Sequence, residues 1–90
     1  MKLEIVFKNN NCITVEFKTS EEHKIILNRS SQLHLKNLNK QTTTMIMSEL
    51  MSFHEVSFCV ETETDRHNNK YHCLMIQDVD TIAIENPLDV

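Results

Sequence analysis

Apolar and polar residues alternate along much of this chain, and a period of two is the mark of strands with one buried face. Residues 2–8 alternate with Leu3, Ile5 and Phe7 on one side, and residues 12–18 do the same with Ile13, Val15 and Phe17. Asn9-Asn10-Asn11 lies between the two runs, which predicts a hairpin with a three-residue loop and one left-handed position. Its register stays open. Pairing Phe7 with Ile13 sets Glu4 against Glu16 and Lys2 against Lys18, whereas a two-residue slip pairs Glu4 with Lys18 on the same apolar face. After a loop at Thr19 to Glu22, residues 23–28 predict a third strand. Arg29-Ser30-Ser31 turns the chain into a fourth at 32–36, with Leu33 and Leu35 on one face and Gln32, His34 and Lys36 on the other. Asn37 to Gln41 is a polar connection.

Residues 42–53 change period. Ile46, Leu50 and Phe53 fall at i, i+4 and i+7, with Met47 and Met51 as a second i, i+4 pair. This predicts a short helix at about 43–53, capped by Thr42, Thr43 or Thr44, against the strand preference of the threonine run. Alternation then returns at 54–63, with Val56, Phe58 and Val60 inside, and at 70–77, with Leu74 and Ile76 inside. The cluster Asp65 to Asn69 turns between them, and pairing 58 with 76 and 60 with 74 completes an apolar face. Thr81 to Glu85 is a last short strand, ended by Asn86-Pro87. The expected fold is mainly β. It is a small curved antiparallel sheet or barrel of about five to seven strands with one short helix. Residues 1–87 form a single domain and 88–90 a loose tail.

Composition sharpens this in three ways. The chain has no glycine, so the Gly-rich phosphate-binding loops are excluded, and asparagine is left to supply the positive backbone angles of turns. Its three cysteines, Cys12, Cys59 and Cys73, are an odd number in a short chain, which points to reduced thiols in a cytoplasm. No apolar run approaches the ~20 residues of a membrane span, and the N-terminus reads as a strand, not a signal peptide. The net charge of −4 is split unevenly. Residues 1–45 carry seven Lys/Arg against four acids, and residues 46–90 carry two against nine. That split predicts two differently charged surfaces, unless the sheet interleaves the halves.

Candidate chemistry is sparse. His54, Cys59, His67, His72 and Cys73 are zinc-ligand types, but their spacing is irregular and His72 and Cys73 point to opposite faces of a strand. Small sheet-face cysteines and solvent-facing histidines are the simpler reading, so no metal and no cofactor are expected. A Cys–His nucleophile lacks an orienting third group and an oxyanion hole, so the chain is not expected to be an enzyme. Lys2, Lys8, Lys18, Lys24 and Lys36 could form a basic strip for nucleic acid. The four phenylalanines fit the core pattern, however, and only Tyr71 is left for stacking.

The opening Met1-Lys2-Leu3-Glu4-Ile5-Val6-Phe7-Lys8, its asparagine turn with Ile13-Thr14-Val15-Glu16-Phe17, and the closing Asp78-Val79-Asp80-Thr81-Ile82-Ala83-Ile84 resemble small β-rich phage and mobile-element proteins of low-GC bacteria. Anti-CRISPR and other anti-defence proteins are the concrete class. The resemblance covers about a third of the chain and implies an origin, with no functional residues carried over. The expected function is a non-enzymatic protein–protein interaction domain, an inhibitor or modulator. It would dock on a larger basic protein through an acidic face formed by Glu55, Glu61, Glu63, Asp65, Asp78, Asp80 and Glu85. The alternatives are a homo-oligomeric structural or assembly subunit and a nucleic-acid or metal-binding regulator. Met45, Met47 and Met51 could form an adaptable binding face, though such a cluster is more often core.

Overall fold

With no glycine available, the turns of this protein put other residues into the left-handed region. A computed structural model describes residues 2–17, 24–53 and 55–85. The expectations for Lys18, the 19–22 loop, His54, the Asn86-Pro87 stop and the 88–90 tail lie outside these residues. Seven strands and one helix follow in the order β1 (Lys2–Phe7), β2 (Cys12–Glu16), β3 (Lys24–Leu27), β4 (Leu33–Leu38), α1 (Lys40–Met51), β5 (Phe58–Thr64), β6 (Lys70–Ile76) and β7 (Val79–Glu85). Three hairpins share one loop design. In each, the third loop residue is left-handed and donates its backbone N–H to the last residue of the first arm. Asn10 (φ 72°) donates to Phe7, Ser31 (φ 60°) to Asn28, and Asn68 (φ 63°) to Asp65. Asparagine does stand in for glycine, and serine joins it at Ser31.

The strands divide between two antiparallel sheets, β2-β1-β7 and β3-β4-β6-β5. In the first hairpin the loop is Lys8-Asn9-Asn10, and Leu3 pairs with Val15 and Ile5 with Ile13. This register lies two residues from the Phe7–Ile13 pairing and four from the Glu4–Lys18 one, and it removes the like-charge pairs of the former. Lys2 now faces Glu16, with Nζ 3.6 Å from Oε1, and Glu4 faces Thr14. In the second sheet the expected pairs Phe58–Ile76 and Val60–Leu74 are found.

One core joins both sheets and the helix. Leu3, Ile5, Phe7, Ile13, Val15 and Phe17 meet Leu33, Leu35, Leu38, Leu74, Ile76 and Val79, and Ile46 and Leu50 close it from α1. The polar connection expected at 37–41 begins later than the sequence suggests. Strand β4 continues to Leu38 through a bulge, in which Lys36 and Asn37 together oppose β6 between the Leu35–Leu74 and Leu38–His72 pairs. Asn37 is left-handed there (φ 61°), and the extra residue turns Leu38 into the core, where simple alternation would leave it outside. A second bulge, at Asp80, lies where the partners of β1 step from Thr81 to Val79.

Three more details depart from expectation. The helix begins at Lys40, and its cap is Asn39, whose side chain accepts the Thr42 N–H at 2.8 Å. The threonines are not the cap. They lie inside the first turns, where Thr43 and Thr44 donate their hydroxyls to the carbonyls of Asn39 and Lys40. Met51 is 69% exposed and so takes no part in the core. Strand β5 starts at Phe58 instead of 54. Val60, expected inside, is 36% exposed because β5 is the outermost strand and only Leu74 flanks it.

Candidate functional site: the open face of the second sheet

The inner face of the second sheet packs on the core, and its other face carries exposed and half-buried side chains. The register rows fix what stands there. Ile26 of β3, His34 of β4, Met75 of β6 and Cys59 of β5 form one row. Lys24 and Lys36, then Cys73 and Glu61, form the next, and Tyr71 and Glu63 lie beyond it. His34, Lys36, Cys59, Glu61, Glu63, Cys73 and Met75 line a shallow groove of about 250 Å³ on this face, reaching down to Leu74. That volume lies below the usual range for a drug-sized ligand.

The charge split of the sequence becomes a spatial feature on this face. Strands β3 and β4 come from the basic half and bring Lys24 and Lys36, while β5 and β6 come from the acidic half and bring Glu61 and Glu63. The order β3-β4-β6-β5 therefore sets a basic side against an acidic edge, with Cys73 and Met75 between them. In the first sheet the charges alternate across the strands, with Lys2 between Glu16, also of the basic half, and Glu85 of the acidic half.

Cys73 lines this groove with Glu63, on the strand beside the Asn37 bulge. Partial burial raises the Cys73 pKa, and the negative charge of Glu63 raises it further, against the opposing pull of the Asn37 N–H and Lys36. A raised pKa favours the thiol over the reactive thiolate, so Cys73 is less reactive than a free cysteine. Across the strand, His72 faces the other way, with Nδ1 3.3 Å from the Thr62 hydroxyl. Among the described residues no three His, Cys, Asp or Glu side chains stand close enough to hold a metal ion.

The seven acidic candidates fall in three places. Glu61 and Glu63 share the open face of β5, and Asp65 stands at the tip of the same hairpin. Asp65 spends its carboxylate on the turn. It accepts the N–H groups of Asn69 and His67 at 2.9 and 2.8 Å and the Asn69 side-chain amide at 3.2 Å. The Asn69 N–H is the main cause of its lowered pKa. Glu55 and Asp78 flank a separate small hollow with Lys8 and Asn9, where Asn9 donates to Glu55 at 3.2 Å. Asp80 and Glu85 lie on β7 in the first sheet. The basic strip is divided as well, with Lys24 and Lys36 on the open face and Lys2 and Lys8 at the first sheet. The contribution of His34, Lys36, Cys73 and Met75 to one surface with Glu61 and Glu63 was not legible from the sequence. Alternation within each run places them on a polar face, but only the strand order makes those faces continuous.

Comparison with family models, with curated proteins and with solved structures gives no match. Among the described residues no helix is long and apolar enough to cross a membrane.

Proposed function

We propose that this protein is a non-enzymatic protein–protein interaction domain that docks on a larger basic partner through the acidic edge of its second sheet. The observation that carries this reading is the pairing of Glu61 and Glu63 on one exposed face of β5, with no ion pair to either among the described residues. Carboxylates left uncompensated at a surface project a negative potential that attracts a complementary basic site and repels nucleic acid. The open groove of the second sheet supports contact with a macromolecule more than enclosure of a small substrate. In its specific form the reading is an anti-defence inhibitor that occupies a site built for nucleic acid on its target. The small size and net acidity are in keeping with that role.

Affinity capture at low salt from a bacterial host lysate tests this, using wild type beside the Glu61→Lys/Glu63→Lys double variant. The expected result is a basic protein retained by wild type, lost from the variant and displaced by added DNA or RNA duplex. Equal retention by both proteins, or indifference to nucleic acid, would overturn the reading.

A further inference from the structure

The edge of β5 has a property that its charge alone does not express. Hydrogen-bonded and non-hydrogen-bonded pairs alternate along an antiparallel ladder. The Asp65 N–H bonds the Asn69 carbonyl at 3.0 Å, and the Gln77 N–H bonds the Ser57 carbonyl at 2.9 Å. Both pairs share the register of Phe58–Ile76 and Thr64–Lys70, so the odd-numbered residues of β5 carry the bonds to β6. The backbone N–H and C=O groups of Val60, Thr62 and Thr64 therefore point away from β6. Strand β5 ends its sheet, and among the described residues no other strand or loop meets these groups.

The other three sheet edges are protected in ways that β5 is not. Strand β2 has α1 beside it around Thr14 to Glu16, β3 spans four of the described residues, and β7 is bent by its bulge at Asp80. Strand β5 runs seven residues with no proline and no bulge, and all but Phe58 are exposed. On its outer side Glu61 and Glu63 occupy the non-hydrogen-bonded positions, where facing Cα atoms approach to about 4.5 Å and side chains lie closest. A second copy pairing antiparallel about Glu61, Thr62 or Glu63 would set carboxylate against carboxylate there, which is unfavourable. A strand with Lys or Arg at alternate positions would set an ammonium or guanidinium against each.

We infer that β5 is a strand-addition site that takes an extended basic segment of a partner protein, with alternating Lys or Arg opposite Glu61 and Glu63 and backbone bonds to Val60, Thr62 and Thr64. This rests on the acidic-edge reading above and adds to it the mode of contact and the sequence pattern of the occupant.

The test uses the whole chain and a synthetic peptide of alternating Lys and Val, matched to β5 in length. Two controls accompany it, the same peptide N-methylated at its valines and a Glu-for-Lys counterpart. Binding is followed by amide chemical shifts and hydrogen exchange. The inference expects the Lys–Val peptide to bind and to slow exchange of the Val60, Thr62 and Thr64 amides. N-methylation should weaken binding about tenfold or more, since it removes the backbone donors and keeps the charge. Thr62→Pro, which deletes an outward N–H at an edge position, should weaken binding similarly, while Thr62→Ala should not. If Thr62→Pro does not fold, the N-methylated peptide decides the question. Equal binding of the methylated peptide, or binding without protection of the three amides, overturns strand addition and leaves the acidic-edge reading intact. Protection of those amides by self-association would also overturn it, in favour of a second copy. Absence of any cationic-peptide binding overturns it as well, and the captured partner's response to charge reversal then judges the broader reading separately.

Discussion

Leu38 makes the sharpest test of the fold, because its burial depends on a single inserted residue. Simple alternation from Leu33 and Leu35 would put Leu38 on the same side as His34 and Lys36. The Asn37 bulge reverses this and leaves Leu38 fully buried among the core side chains. Removing a buried leucine to alanine costs about 2–5 kcal/mol through lost transfer energy and the cavity left behind. A chain of 90 residues has a total stability of about 5–13 kcal/mol, so Leu38→Ala should remove a substantial part of it. At about 4–8 °C per kcal/mol for a domain of this size, the thermal midpoint should fall by about 8 °C or more. Val60→Ala is the matched control. Val60 carries the alternation of a core residue but is 36% exposed, so its truncation should cost below about 1 kcal/mol. The assay is urea unfolding followed by circular dichroism, with thermal melts alongside. A loss under about 1 kcal/mol for Leu38→Ala, or a larger loss for Val60→Ala than for Leu38→Ala, would refute the bulge and the edge position of β5.

Further expectations concern single groups. Asn39→Ala should destabilise the protein by about 1 kcal/mol by removing the cap on the Thr42 N–H, and Asn39→Asp should retain most of it, both read from urea midpoints. The Asp65 carboxyl should titrate below the ordinary carboxylate range by NMR, because the Asn69 and His67 N–H groups favour its ionised form. With a folded pKa below the unfolded one, its contribution is present at neutral pH and lost as pH falls through the folded value. The stability gap between wild type and Asp65→Ala should therefore close in acid, and a gap that widens there would contradict the assignment. Cys73 should be alkylated more slowly than the exposed Cys12 and Cys59, as read by mass spectrometry of partly modified protein, and Glu63→Gln should speed its reaction.

The sequence carried much of this architecture because alternation is a local property. Seven strands and a helix follow from runs such as Leu3-Ile5-Phe7 and from Ile46-Leu50, and the pairs Phe58–Ile76 and Val60–Leu74 follow from the turn cluster at Asp65 to Asn69. The register of the first hairpin was not readable in this way, since two-residue slips keep the same apolar face. The loop Lys8-Asn9-Asn10 and the Lys2–Glu16 pair settle it. Asparagine was legible as a substitute for glycine, but nothing local told a turn asparagine such as Asn68 from a bulge asparagine such as Asn37. The division into two sheets is a tertiary outcome. It decides that Glu61 and Glu63 share a surface with Lys36 and Cys73, while Glu85 shares one with Lys2.

The central claim, that Glu61 and Glu63 steer docking on a basic partner, is tested most directly by association rates. Once the partner is in hand, rates for wild type and for Glu61→Lys/Glu63→Lys are measured across a salt series in which the Debye length shrinks from about 30 to about 8 Å. For wild type the rate should fall markedly with salt, and the double reversal should slow association at low salt. The thermal midpoint of the free protein should change little, because exposed charges contribute little to stability. Rates indifferent to both salt and mutation would contradict the claim and move the contact surface to the exposed Met45 and Met51 of α1.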